Sequence, residues 1–172
     1  MGSKTDKKVN YDDYNEYPYQ QVTSDDISKA GFGFFMRNNL PKSSIQDQCF
    51  LYNMDDKDKN GSHWTCVCIQ YPDIFYFDPF STELGGYPPQ ELRSWGKKYG
   101  FKKIIANEFP IQHIKSWLCG HYSLFMAEKL DSMIGKLTEQ TFDDIIKKEF
   151  DIVPTDYNVD KITKWSKVHH LI

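Results

Sequence analysis

The sequence predicts a single α+β domain in which helices pack against a small, mainly antiparallel β-sheet. Three observations indicate this class. Short apolar and aromatic runs, separated by turn signals, occupy the stretch from residue 48 to residue 109. A long apolar stripe at helical spacing starts at Leu118, and two further helix patterns follow it. The 172 residues suffice for one domain with a core and are too few for two comfortable ones.

Charge and cysteine content limit the classes of function. With 21 basic and 24 acidic residues, the chain gives no global reason to expect nucleic-acid binding. No stretch resembles a signal peptide or a transmembrane helix, so we expect no membrane partner. Without a secretory signal a reducing compartment is the default, and we interpret Cys49, Cys66, Cys68 and Cys119 as thiols.

The domain boundaries follow from a change in composition near the N-terminus. Residues 1–22 are polar and tyrosine-rich without any period, which predicts an arm that is flexible or lies on the domain surface. Residues 23–172 are predicted to form the domain, with a core over 24–134 and a helical extension over 135–172.

The first helix and the strands are predicted in order along the chain. Ser24, followed by two aspartates, indicates the start of a short helix that ends near Gly31. A hairpin is predicted where Tyr71-Pro72-Asp73 joins two of the strands. The predicted strands cover residues 48–54, 63–70, 74–80 and 103–109.

Four more helices are predicted. The clearest begins at Leu118, and Gly135 ends it. Their predicted ranges are 88–99, 118–134, 141–150 and 158–169. The last two are expected to cover the core rather than to bind a partner, with the apolar residues Ile145, Ile146, Phe150, Ile162 and Trp165.

Cys119 is the candidate nucleophile because it lies in the first turn of the clearest helix. Free N–H groups and a partial positive charge at a helix N-terminus stabilise a thiolate. Gly120 would let a substrate carbonyl approach backbone N–H groups. Gln112, seven residues before Cys119, could donate its amide to the oxygen of a tetrahedral intermediate.

His63 and Asp78 are the candidate base and orienting acid. His63 begins the first hairpin strand and Asp78 lies near the end of the second. His63 is about nine residues before the turn and Asp78 about five after it, so they become neighbours only if the pairing is staggered or bulged. The imidazole would take the thiol proton, and the carboxylate would fix its tautomer.

Each of these residues alone has a simpler structural explanation. A lone helix cysteine is most often a packed, inert side chain, and a loop glutamine is usually only solvated. The four residues together, in this order along the chain and with these neighbours, favour a catalytic function.

The motifs around the four residues resemble those of the adenain family, the adenovirus-type maturation proteases, and at lower similarity those of the SUMO-deconjugating proteases that share its fold. The chain order His, acid, Gln, Cys is the family's, a circular permutation of papain's order. The matching stretches read Gly61-Ser62-His63-Trp64, Tyr76-Phe77-Asp78-Pro79-Phe80 and Gln112-His113-Ile114-Lys115-Ser116-Trp117-Leu118-Cys119-Gly120. The stretch Phe34-Phe35-Met36-Arg37-Asn38-Asn39-Leu40-Pro41 also resembles a motif of virophage and Polinton-type proteases, so the likeness covers about residues 24–134.

The resemblance implies an adenain-like protease fold with a Cys119–His63–Asp78 triad and Gln112 in the oxyanion hole. Trp64 would flank the imidazole and wall a narrow cleft, although ordinary core packing explains it equally well. Adenovirus enzymes carry Glu where this chain has Asp78, while Asp is usual elsewhere in the superfamily. Implied substrates are viral structural precursors, chiefly capsid proteins, cleaved after small residues by a monomer in the virion and the viral factory of the host cytoplasm. Adenain uses a peptide and DNA as activators. This sequence shows neither the corresponding cysteine arrangement nor a strong basic surface, so no cofactor is expected.

Three rival interpretations stay open. A zinc site could draw on His63, Cys66, Cys68, Cys119 and His121, but strand alternation and helix geometry separate these donors, so we expect no metal. A ubiquitin- or SUMO-like deconjugating protease keeps the fold and changes the substrate. A catalytically silent binding or scaffold protein is disfavoured because all four site types are retained.

Overall fold

A five-stranded mixed sheet forms the centre of the molecule in the computed structural model, which describes residues 20–57 and 63–171. The strands are neighbours in sequence order, antiparallel in the middle (β2–β3–β4) and parallel at each edge (β1–β2 and β4–β5). Their bounds are β1 Gly33–Met36, β2 Gln48–Asn53, β3 Trp64–Gln70, β4 Asp73–Phe77 and β5 Lys103–Ala106. The predicted α+β class is confirmed.

The hairpin between β3 and β4 is tighter than predicted. Gln70 pairs with Asp73, so only Tyr71 and Pro72, joined by a cis peptide bond, lie in the turn. The register continues to Cys66 opposite Phe77. It brings the start of β3 beside the residues that follow β4, where the predicted base and acid lie.

Helices cover both faces of the sheet. On β3, Cys66 and Cys68 point toward the face packed by α3, while Val67 and Ile69 point toward the face packed by α2. This explains why β2 and β3 read as nearly continuous apolar runs rather than alternating ones. The helices are α1 Ser24–Lys29, α2 Gln90–Lys98, α3 Cys119–Asp131, α4 Glu139–Glu149 and α5 Asp156–Val168, with a 3-10 turn at Thr82–Leu84.

α3 is the central helix and is buried nearly all round. Ten of its 13 residues are buried, because it packs on β2 and β3 and also contacts α4 and α5. The sequence predicted one apolar stripe along this helix, but the buried residues lie on nearly all of its sides. The last two helices pack on the same core through the buried Ile146, Phe150 and Ile162, as expected.

The N-caps of α1, α4 and α5 are threonines. Thr23, not Ser24, caps α1, since its hydroxyl accepts from the Asp26 N–H while the Asp26 carboxylate accepts from the Thr23 N–H. Thr138 and Thr155 take the same position before α4 and α5. Within the described ranges no helix is both long and apolar enough to cross a membrane.

The expectation of four thiols is wrong for one pair. Cys49 and Cys68 form a disulfide between β2 and β3, because the strand register places them directly opposite each other. The partner of Cys68 lies on the neighbouring strand, 19 residues away, so the pairing depends on the sheet register. Cys66 and Cys119 are free cysteines.

The predicted N-terminal arm lies mostly outside the described residues. Of its last three residues, Gln20 and Gln21 are exposed, whereas Val22 is buried in the main core.

Candidate active site

His63 and Asp78 are hydrogen-bonded. The His63 Nε2 lies 2.8 Å from the Asp78 Oδ1, and the Asp78 side chain is 3% exposed. The same carboxylate oxygen accepts the backbone N–H of Phe80 at 2.8 Å. A buried carboxylate with two donors is held in one orientation, and through it the imidazole is held as well.

The hairpin register explains why these two residues meet. Continuing the Cys66–Phe77 pairing by three residues sets Phe80 opposite His63, with Asp78 as the diagonal neighbour. The Phe80 ring stacks on the imidazole, with 4.7 Å between centroids and 6° between planes. Asp78 can therefore reach the ring edge while Phe80 covers one ring face, and the two-residue turn provides the stagger that the sequence had left open.

Asn107, which follows β5, fixes the backbone of the acid. Its Oδ1 accepts the Asp78 N–H at 2.9 Å, and its Nδ2 donates to the Asp78 carbonyl at 2.7 Å. Gly86 closes the other side, because a Cβ there would stand 2.6 Å from the Asp78 Cγ. Sequence reasoning missed both residues, since an Asn at a strand end and a second Gly in a Gly-Gly pair are ordinary loop signals.

Cys119 begins α3, as predicted, and is 9% exposed. Its thiol lies close enough to the His63 side chain to raise the pKa of the imidazole. Because Nε2 faces Asp78, Nδ1 is the ring nitrogen that remains for the sulfur. The first N–H groups of α3 have no acceptor within the helix and lie at the nucleophile.

Electrostatics favour a charged imidazole. Burial of the ring lowers the pKa of His63, but the hydrogen bond to Asp78, the nearby Cys119 thiol and the negative charges of both groups outweigh burial and raise the pKa to about 10. At neutral pH His63 is therefore an imidazolium beside the Cys119 sulfur. That arrangement stabilises a thiolate and holds a proton ready for a leaving group.

Ser123 ties the two catalytic segments together. It lies one turn after Cys119 on α3, and its Oγ donates to the Trp64 carbonyl at 2.9 Å. Trp64 directly follows His63, so this buried bond joins the nucleophile's helix to the strand that begins beside the base. No local pattern points to this bond, because a serine within a helix is common.

Gln112 lies in the loop before α3 and is fully buried. Its backbone N–H donates to the Pro79 carbonyl at 3.1 Å, which joins this loop to the segment after Asp78. Its Nε2 donates to the Ser116 carbonyl at 3.0 Å, so one of the two amide hydrogens is used within the loop. Donation of the second hydrogen to an oxyanion stays a prediction.

Trp64 and Gly120 pack against the segment that precedes α1. The Trp64 indole is 8% exposed and its Nε1 donates to the Val22 carbonyl at 3.0 Å. A Cβ at Gly120 would lie 2.6 Å from the Val22 Cβ. These contacts show that Trp64 packs in the core, which is the alternative named for it. A direct role of either residue in binding substrate stays a prediction.

A second group of sulfurs lies away from the triad. The Sγ atoms of Cys49, Cys66 and Cys68 are buried within 4.8 Å of one another. Since Cys49 and Cys68 are joined in the disulfide, Cys66 alone offers a thiolate there, and its burial raises its pKa. This set does not suit a metal ion.

No protein-family model matches the chain, and no curated protein matches it in sequence. Among solved structures, it is similar to the pS273R protease of ASFV, at 22% identity and a TM-score of 0.43, over 72% of this chain and 43% of that one. It is also similar to AvrA delL154 with IP6 and CoA, at 17% identity and a TM-score of 0.47, over 84% of this chain and 68% of AvrA. The chain thus spans less than half the length of pS273R.

Proposed function

We propose that this chain is a cysteine endopeptidase with Cys119 as nucleophile, His63 as base and acid, and Asp78 as the group that orients the imidazole. One observation carries the proposal: the His63 ring bonds the Asp78 carboxylate, and the Cys119 thiol at a helix start lies close enough to raise the pKa of the same ring. A packed, inert cysteine needs neither partner.

The geometry supports acyl transfer in two steps. The Cys119 thiolate attacks the scissile carbonyl carbon, and the His63 imidazolium gives its proton to the departing amine nitrogen. Water then attacks the thioester while neutral His63 takes a proton from it, and the C–S bond breaks, which releases the acid and returns the Cys119 thiolate beside the His63 imidazolium. The first N–H groups of α3 and the second amide hydrogen of Gln112 are the candidate donors to the oxyanion.

For the substrate, we propose viral structural precursors, chiefly capsid proteins, cut after small residues such as a Gly-Gly pair. The resemblance of the motifs around the four site residues to the adenain family supports this. The same resemblance suggests action in the virion and the viral factory of the host cytoplasm, by a monomer without a metal ion.

The first experiment labels the purified chain with an electrophilic peptide ending in Gly-Gly and locates the adduct by mass spectrometry. We expect modification of Cys119 in the wild type and none in Cys119→Ala. Cys66→Ala, which removes the other free cysteine, is the matched control and should be labelled like the wild type. Labelling that persists in Cys119→Ala would refute the assignment of the nucleophile.

The second experiment identifies the substrate class. Fluorogenic peptides with Gly-Gly before the scissile bond are compared with peptides carrying bulky residues there, and ubiquitin and SUMO fusions are tested in parallel. Turnover of Gly-Gly peptides without processing of the fusions supports precursor maturation. Efficient processing of the fusions would instead indicate a deconjugating protease, and no turnover with no labelling would indicate a scaffold protein.

A further inference from the structure

Val22 contacts both residues that follow the proposed catalytic pair. It is 4% exposed, although Gln21 and Thr23 on either side are exposed. Its backbone oxygen accepts the Trp64 Nε1–H at 3.0 Å. Its side chain occupies the space beside Gly120, where a Cβ at residue 120 would lie 2.6 Å from the Val22 Cβ and 3.1 Å from its Cγ2. Val22 thus contacts two segments that are distant from each other in the sequence.

Those two segments carry the base and the nucleophile. Trp64 directly follows His63 on the chain, and Gly120 directly follows Cys119. Trp64 also lies against Gly120, since its Cδ1 would be 3.1 Å from a Cβ there. Consecutive Cα atoms are about 3.8 Å apart, so a shift of either residue reaches the catalytic side chain next to it directly. How Trp64 and Gly120 pack on Val22 therefore sets how His63 and Cys119 face each other.

The glycine makes this contact unusually close. Interior side chains pack densely, and removing atoms leaves a cavity that neighbours fill only in part. Shortening Val22 would open a space between the first turn of α3 and the indole, into which either can move. The Ser123–Trp64 hydrogen bond lies a turn further along α3 and would still join helix and strand, so the domain should stay folded.

On the premise of the proposed protease activity, we propose that Val22 is a positioning residue that holds the His63 imidazole and the Cys119 sulfur at reacting distance. The segment before α1 then belongs to the support of the active site, not to a detachable arm. Misplacing reacting groups by about 1 Å can cost on the order of 100-fold in rate. We therefore expect a defect in the chemical step when Val22 is shortened.

Three full-length variants separate positioning from stability. Val22→Ala removes the side chain that contacts Gly120. Val22→Thr keeps its shape but buries a hydroxyl, so it lowers stability without opening space. Val67→Ala is the matched control, because Val67 is a fully buried valine on β3 that packs toward α2 on the opposite face of the sheet.

Two readouts are measured at a temperature at which circular dichroism shows all variants folded. One is kcat and KM on a Gly-Gly fluorogenic peptide. The other is the pH dependence of Cys119 alkylation by iodoacetamide, followed by peptide mass. A variant that loses only stability keeps the wild-type kcat, KM and alkylation profile in its folded molecules. A displaced His63 imidazole changes the alkylation profile of Cys119, because thiol reactivity depends on the groups beside the sulfur.

We expect Val22→Ala to lower kcat about 10- to 100-fold with KM little changed, and to shift the alkylation profile. Val22→Thr and Val67→Ala should keep the wild-type kcat and profile despite lower stability. If Val22→Ala does not fold, Trp64→Phe, which removes the N–H that bonds Val22, is measured in its place with the same expected direction.

The proposal is overturned if folded Val22→Ala behaves as wild type, or if Val22→Thr or Val67→Ala loses as much kcat as Val22→Ala. Those results would leave the protease assignment intact, because the wild type would still cleave the peptide. A wild type that neither cleaves the peptide nor alkylates faster at Cys119 than at Cys66 would overturn both.

Discussion

Asn107→Ala is the substitution that tests most directly how the catalytic acid is held. Asn107 accepts the Asp78 N–H and donates to the Asp78 carbonyl, and both residues are at most 2% exposed. After truncation the Asp78 N–H loses this acceptor, while the carbonyl keeps the N–H of Ser81 at 2.9 Å. Without the Asn107 side chain, only the remaining contacts of Asp78 keep it in its orientation.

The size of the effect follows from that difference. An orphaned buried donor costs about 1–3 kcal/mol, and loss of one of two bonds to the carbonyl costs about 0.5–1.5 kcal/mol. We expect the free energy of unfolding to fall by roughly 1.5–4.5 kcal/mol, the sum of those two ranges. Activity should fall as well, because a shift of the Asp78 backbone moves the carboxylate that orients the imidazole.

Gln70→Ala is the matched control for this prediction. Gln70 also uses a side-chain amide to bridge backbone groups: it donates to the Leu137 carbonyl and accepts the N–H groups of Gly135 and Leu137. It lies at the hairpin end of β3, remote from His63. Both variants are measured by urea denaturation and by kcat/KM on the same peptide, below their unfolding temperatures. Equal kcat/KM losses in the two variants would refute the positioning role of Asn107.

Three more predictions concern the other site residues. The pKa of His63 rises from 6.5 to about 10 on folding, so its contribution to stability is complete below pH 6.5 and is lost as the pH rises through about 10. The difference in unfolding free energy between wild type and His63→Ala should therefore shrink over that interval. A difference that grows instead would contradict the charged pair. Gln112→Ala should lower kcat by about 100- to 1,000-fold with little change in KM if its amide binds the oxyanion, and a wild-type kcat would exclude that role. Phe80→Ala removes the ring stacked on the imidazole and should lower kcat/KM more than Phe80→Leu, which still covers it; equal losses in steady-state assays would count against stacking as the cause.

Local signals made part of the site predictable. A cysteine at the start of the clearest apolar helix and a histidine and an aspartate on the two arms of a hairpin can be found without coordinates, and the structure brings all three together. The spacing alone did not decide whether His63 and Asp78 are neighbours, because the answer depends on whether the turn has two residues or three. Moving Asp73 from the turn into β4 decides the register, and a shift of one residue exchanges the faces of a strand.

Contacts between distant segments could not be predicted. Asn107 binds Asp78 across 29 residues, and Cys49 meets Cys68 only because β2 lies beside β3. Val22 looked like the end of a polar arm, since one valine among polar residues shows no period. Such residues act through tertiary neighbours, and their sequence surroundings resemble ordinary loops.

The three catalytic groups are supported by different kinds of force, and their tolerance to substitution should differ accordingly. Asp78 is held by directional hydrogen bonds from Asn107 and Phe80, which fail when one polar atom is removed. Cys119 is held by packing at Gly120, which fails when volume changes in either direction. His63 lies between them, fixed by the bond to Asp78 and by the stacked Phe80 ring. Polar isosteres should therefore be more harmful near the acid, and changes of size more harmful near the nucleophile, because each site depends on a different property of its neighbours.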